Sequence, residues 1–241
     1  MYFDKRILYA IIILMVISGI SKYLSDTASL IGLLLTIPGV LIAITFHEFA
    51  HAFAADKLGD DTPRREGRLS LNPLAHLDPV GSIMLLFAGF GWGKPVEVNP
   101  RNFNRDMSMD KANAIVSIAG PLMNFVLAIV LAFINAAIYK FGSSTMATSQ
   151  TLQIIMTMIG YAISINVGLG VFNLIPLPPL DGSKVIKPFL PYKAKVWFEN
   201  YENIFYFVFV FLWITGIADN IIAPLIKIVY ILIMNLVGIF F

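Results

Sequence analysis

Residues 47–51 read His-Glu-Phe-Ala-His. Histidines four apart stand one turn apart on the same face of a helix. Two imidazoles so placed can grip one Zn²⁺ at about 2.0–2.1 Å each. Glu48 lies about 100° around the helix from His47. It is near enough to take a proton from an attacking water without itself being a ligand. The chemistry of this HExxH pattern is metal-assisted hydrolysis. The bland alternative is a polar cluster between helices. That alternative suits a soluble protein better than this chain, because the motif lies in an apolar stretch from about Leu30 to Leu58. In hydrocarbon, a carboxylate and two imidazoles are costly without partners or a function.

A catalytic zinc site takes three protein ligands and leaves one position open. The chain has no cysteine, so disulfides and thiolate ligands are excluded. The third ligand must be His, Asp or Glu, and Asp181 is the best candidate. An apolar helix breaks at Pro176-Leu177-Pro178-Pro179, and Asp181-Gly182 follows at once. Unwound backbone at membrane depth is tolerated only where it is buried or lines a cavity. The competing reading makes Asp181 a helix N-cap in a simple turn. His76 is the third and last histidine, in AHLDP. It reads as a loop histidine bonded to the loop backbone, with a gate or supporting group near the metal as the alternative.

The elements that must position these residues are membrane helices. Of 241 residues, 58% are hydrophobic and 13% charged, against roughly 25% charged in soluble domains. The net charge of +2 is too small to suggest a nucleic-acid partner. The chain is expected to be an all-α polytopic membrane protein, one membrane-embedded domain over 1–241, with the lipid bilayer as its solvent. About six spans are expected: Ile7–Leu24, Leu30–Leu58 with Pro38-Gly39 as a kink, Lys111 to about Lys140, Thr151–Leu174, and a closing hairpin of Ile204–Gly216, completed by part of 196–203, and Ile221–Phe241. Residues 59–110 are expected to form a loop region with a re-entrant segment, 80–91, too short to span, and an edge strand, 92–99. Residues 183–203, with four lysines, read as interfacial.

Charge sets the expected orientation. With six spans, the N-terminus, the 57–111 loop and the 184–195 segment share one side, which holds every Lys and Arg except Lys22, Lys140 and Lys227. The positive-inside rule then puts both termini in the cytoplasm.

HEFAH in a membrane helix, then AGPLMN (119–124), then NLIPLPPLDG (173–182) resembles the site-2 protease family of intramembrane zinc metalloproteases. The loop stretches GRLSLNPLAHLDPVGS and FGWGKPVEVNPRNF look like its compact prokaryotic branch. The resemblance covers about residues 40–190 and implies a prokaryotic cell membrane. It implies one zinc per chain on His47, His51 and Asp181, with Glu48 as the general base. Asn124 and Asn173 match family positions that help hold the substrate or its oxyanion; each could instead simply bond a neighbouring helix. The implied activity is a zinc metalloendopeptidase that cuts transmembrane protein substrates in or near the membrane, with neither a PDZ domain nor a nucleotide-binding pair. A non-catalytic zinc-binding scaffold or a transporter is the alternative. A transporter would more naturally show related halves, and the sequence has no internal repeat.

Overall fold

The computed structural model describes residues 5–88, 92–146, 149–201, 204–205, 207–208, 211–212 and 215–241. The main helices are α1 (Lys5–Ser25), α2 (Thr27–Lys57), α3 (Thr62–Arg65), α4 (Pro79–Ala88), α5 (Met109–Met146), α6 (Gln150–Asn173), α7 (Asp181–Ile186), α8 (Tyr192–Asn200) and α9 (Ile217–Gly238). Among the described residues, four stretches are long and apolar enough to cross a membrane: Thr27–Lys57, Met109–Gly142, Gln150–Asn173 and Asn220–Gly238. The expected first span coincides with α1, a helix of 21 residues. The expected span Ile204–Gly216 lies partly outside the described residues. Six crossings are therefore not what the described helices provide.

Helices α2, α5 and α6 form the centre of the bundle. Small residues let their backbones approach, as is usual where lipid supplies no hydrophobic drive between helices. A Cβ on Gly39 of α2 would stand 2.8 Å from the Cα of Ala162 in α6, so this crossing admits only glycine. Ala128 and Ala132 of α5 and Ile163, Val167 and Val171 of α6 are buried together. Ile222, Ile233 and Val237 of α9 complete that core. Pro38 sits inside α2 and Pro121 inside α5, and both helices continue through them.

The direction of α9 matters for the topology. Its early residues Ile222 and Ile226 line the same cavity as His47 and Asp181. Its far end carries Phe240 and Phe241, whose rings lie 5.4 and 6.3 Å from that of Phe133 in α5. Lys140 Nζ stands 5.4 Å from the Phe241 ring. The C-terminus therefore lies at the end of the bundle where α5 turns into α6. That is the end away from the 58–108 loop. The expected pairing of both termini on one side does not follow from this packing.

The loop region differs from expectation in one respect. Residues 80–91 begin as α4, a ten-residue helix about 15 Å long, packed on α1 through Tyr23 and Phe87. Gly19 of α1 is needed there, because a Cβ would collide with the Phe87 carbonyl. Residues 92–99, expected to be a strand, are extended, but among the described residues they pair only through one antiparallel bridge, Leu77 to Gly93. The reason is visible in the donors. The Lys94 N–H goes to the His76 carbonyl at 2.8 Å, the Val96 N–H goes to a side chain, and Pro95 has none.

Asp60, fully buried, ties the loop to the end of α2. Its carboxylate accepts from Asn99 N at 2.7 Å, Asn102 Nδ2 at 2.9 Å, Thr62 Oγ1 at 2.6 Å and Thr62 N at 3.1 Å. Burial pushes this carboxyl up, but the bonds from Thr62, Asn102 and Asn99 outweigh it and hold it below the ordinary carboxylate range. Lys195 of α8 pairs with Asp110 at the start of α5. The 181–200 segment is thereby fastened to the same end of the bundle as the 58–108 loop.

Candidate metal centre

Helix α2 presents His47 and His51 on its buried face, 5% and 8% exposed. Each ring is held at Nδ1 by α5. His47 Nδ1 donates to Asn124 Oδ1 at 2.7 Å, and His51 Nδ1 donates to the Val116 carbonyl at 2.7 Å. These roles follow from the acceptors. A carbonyl oxygen can only accept, and the Asn124 Nδ2 is turned the other way, donating to the Ala43 carbonyl at 3.1 Å and to Asn166 Oδ1 at 3.0 Å. Both neutral rings therefore carry a lone pair at Nε2.

The two Nε2 atoms face each other at 3.0 Å. Asp181 Oδ2 stands 3.3 Å from that of His47 and 3.2 Å from that of His51. With both rings neutral, two lone pairs and an anionic oxygen converge on one point. They repel one another unless a cation sits among them. Donors bonded at about 2.0 Å around one tetrahedral ion would lie about 3.3 Å apart. The three observed separations fit that spacing, and two nitrogens with one carboxylate oxygen suit zinc.

Two glycines let the ligands meet. A Cβ on Gly120 of α5 would lie 2.5 Å from His51 Nε2 and 2.7 Å from His47 Cε1. Asp181 opens α7, and a Cβ on Gly182 would collide with the carbonyls of Leu174 and Ile175. The break after α6 thus folds back tightly on the helix end and delivers Asp181 to the histidines. The N-cap position of α7 belongs to Leu180, with no side-chain cap bond. The Asp181 carboxylate is directed at the imidazoles instead.

Glu48 lines the same cavity, which holds about 1180 Å³. Its Oε2 accepts from the Val96 N–H at 3.1 Å. Asn173 also lines the cavity, with Nδ2 donating to the Leu169 carbonyl at 3.1 Å. Asn124 does not reach it. Asn124 is fully buried, and its amide is engaged by His47, Ala43 and Asn166. Substrate contact, expected of Asn124, is not available in this arrangement. His76 is buried in its loop with Nε2 against the Ser70 carbonyl at 2.7 Å. It meets the site only through its backbone, which holds Lys94.

Four contributors escaped the sequence reading: Asn166, Gly120, the Val116 carbonyl and the Val96 N–H. Asn166 carried a signal, being a second amide two turns before Asn173 in an otherwise apolar helix. Gly120 precedes a proline in a motif already noted, but a glycine's neighbours cannot be read from its position. A backbone donor such as Val96 carries no sequence signal at all.

Three donors that could hold a metal ion, two on the apolar helix α2 and one at the start of α7, define a membrane metallopeptidase as the class to which this site belongs. The profile of Peptidase family M50 matches residues 137–216, the part that carries Asp181. The Bacillus subtilis protein named "Putative zinc metalloprotease YwhC" is 37% identical over 188 residues, 78% of this chain and 84% of that protein. "Putative zinc metalloprotease Rip2" of Mycolicibacterium smegmatis is 31% identical over 160 residues, 65% of this chain and 58% of that protein. "Putative zinc metalloprotease MJ0611" of Methanocaldococcus jannaschii is 30% identical over 168 residues, 67% and 75% of the two chains. No solved structure matches. The chain belongs to peptidase family M50, the site-2 protease family, and is a zinc metallopeptidase.

Proposed function

We propose that this protein is an intramembrane zinc metalloendopeptidase that cuts membrane-protein substrates in or near their transmembrane segments. The observation that carries the proposal is the convergence of three metal donors inside the membrane-crossing bundle, beside a carboxylate in a large cavity. His47 lies ten residues before the end of α2, about 15 Å along the helix axis. The site is thus well below the surface of the apolar layer. Lys184, Lys187 and Glu199 line the cavity toward the polar end, which offers water a route in.

In this reading His47, His51 and Asp181 hold the metal. Zinc, when bound, supplies Lewis acidity toward a peptide carbonyl and toward water. Glu48 takes the proton of the attacking water on its carboxylate and returns it to the departing amine. The Val96 N–H fixes Oε2 and so aims the carboxylate. Asn173 has one amide N–H beyond that given to Leu169, placed for a substrate carbonyl or its oxyanion. A helical substrate must unwind to expose its peptide bond. The extended 92–98 segment can then pair with it by β-addition. The inward N–H groups of Lys94 and Val96 are already used, so such pairing falls to the outer edge.

Residues 1–241 act in this reading as one membrane-embedded unit. The basic 58–108 loop and the 181–200 segment face the cytoplasm, with Lys5 and Arg6 on the same side. The direction of α9 favours five crossings rather than six, with Phe241 on the opposite face. A tag after Phe241 is therefore expected outside and a tag at residue 64 inside; finding both on one face would overturn the five-crossing arrangement.

The activity is tested with purified protein in vesicles holding a single-span substrate. Cleavage within or beside the span is expected, stopped by a zinc chelator and restored by zinc. Zinc-loaded, folded protein that cleaves no membrane helix would favour a scaffold. Cleavage indifferent to chelation would remove zinc from the mechanism.

A further inference from the structure

The buried polar network continues beyond the groups that touch the metal ligands. Asn166, in the middle of α6, is fully buried. Its Oδ1 accepts from Asn124 Nδ2 at 3.0 Å, and its own Nδ2 donates to the Ala162 carbonyl one turn back at 2.8 Å. A bond to Ala162 within its own helix fixes the rotation of the Asn166 amide, so an acceptor faces α5. That acceptor and the Ala43 carbonyl take both N–H groups of Asn124. The amide of Asn124 can then present only Oδ1 to His47.

We propose that Asn166 is a positioning residue for zinc, acting through Asn124 to hold His47 as the tautomer whose Nε2 lone pair faces the metal. If the Asn124 amide turned over, its N–H would meet His47 Nδ1. The ring proton would be driven to Nε2, where it would block coordination. Turned over, Oδ1 would also face the Ala43 carbonyl, so Ala43 by itself resists the turn, and Asn166 adds a second acceptor that resists it. The network also joins α2, α5 and α6 in one chain of bonds, so it couples the ligand on α2 to the helix that leads to Asp181. Partners behind a metal-bound histidine typically change metal affinity by about 10–100-fold when removed. Asn166 lies one step further out, so the lower end of that range is expected.

The inference rests on His47 being a zinc ligand, and the test separates the two. Zinc affinity is measured by chelator competition on purified protein for the parent, Asn166→Leu, Asn124→Ala, the double variant and His47→Ala. Cobalt-substituted absorption spectra report the ligand field independently of activity. Asn166→Leu is expected to weaken zinc by about 10-fold and Asn124→Ala by about 10–100-fold. The double variant should bind no worse than Asn124→Ala, because Asn166 has nothing left to orient. Asn166→Asp, neutral in this fully buried position, keeps an acceptor oxygen toward Asn124 while its O–H takes over the donation to the Ala162 carbonyl, and it should stay within a few-fold of the parent, with an unchanged cobalt spectrum; it decides the matter if the leucine variant does not fold. An Asn166→Leu protein that binds like the parent overturns the proposal. So does a double variant that loses the product of both effects, or an Asn166→Asp protein that loses about 10-fold or more. Undiminished zinc in His47→Ala would instead overturn the ligand assignment itself.

Discussion

Glu48→Gln, purified with zinc bound, is expected to cleave a transmembrane substrate more slowly than the parent by at least about 10²–10⁴-fold, the usual contribution of general acid–base catalysis. The substitution is close in shape. The glutamine carbonyl can still accept the Val96 N–H that Glu48 Oε2 accepts at 3.1 Å. The three converging donors are untouched, because Glu48 is not among the group formed by His47, His51 and Asp181. What is lost is the capacity to take up a proton. Single-turnover cleavage, with zinc measured on the same sample, separates the outcomes. Zinc retained with cleavage lost is the expected result. Loss of zinc along with activity would give Glu48 a supporting role around the metal. Unchanged cleavage by a folded, zinc-loaded variant would refute the proposed base.

Gly120→Ala is expected to abolish high-affinity zinc binding while the helices remain. Alanine is the better helix former, so α5 itself should not object. The added carbon would stand 2.5 Å from His51 Nε2 and 2.6 Å from its Cε1, with His47 Cε1 at 2.7 Å. Neither ring can swing away cheaply. Each is bonded at Nδ1 to α5 itself, through Val116 and Asn124. A shift of either ring breaks that bond, and a shift of α5 disturbs both. The loss should reach or exceed the about 100-fold that removing a supporting contact can cost. Gly160→Ala is the control, since its Cβ would meet nothing within 4 Å, and it should bind zinc like the parent. Parent-like affinity in Gly120→Ala would mean that the rings do not occupy these positions when zinc is bound.

The sequence reached the centre of the site because the helix period is local. Histidines four apart must share a face wherever the helix goes. Asp181 was legible for a different reason: prolines end a span, and an acidic residue after the break is expensive unless used. The groups behind the rings were not legible. Val116 and Asn124 lie 65 and 77 residues along the chain from the histidines they hold. No period links them, and only packing decides which face of α5 meets α2. For the same reason the sequence left Asn124 open between a substrate group and a bond to a neighbouring helix, and the fold sets it against His47.

Charge alone does not set the crossing number. No Lys or Arg follows Lys227, so the positive-inside rule is silent about the last end of the chain. The Phe133, Phe240 and Phe241 contacts are what favour the proposed five crossings. The expected strand at 92–99 had the right extended residues. Its donors are taken by His76 and Glu48, which no local pattern could disclose.

The account turns on one metal held by one helix, α2, and the start of another, α7. Zinc K-edge X-ray absorption on the purified chain tests this most directly. It should find one zinc per chain, with two imidazoles and oxygen donors at about 2.0–2.2 Å and no sulfur. A chain that retains no zinc, or whose zinc has fewer than two imidazoles in its coordination shell, would contradict the account.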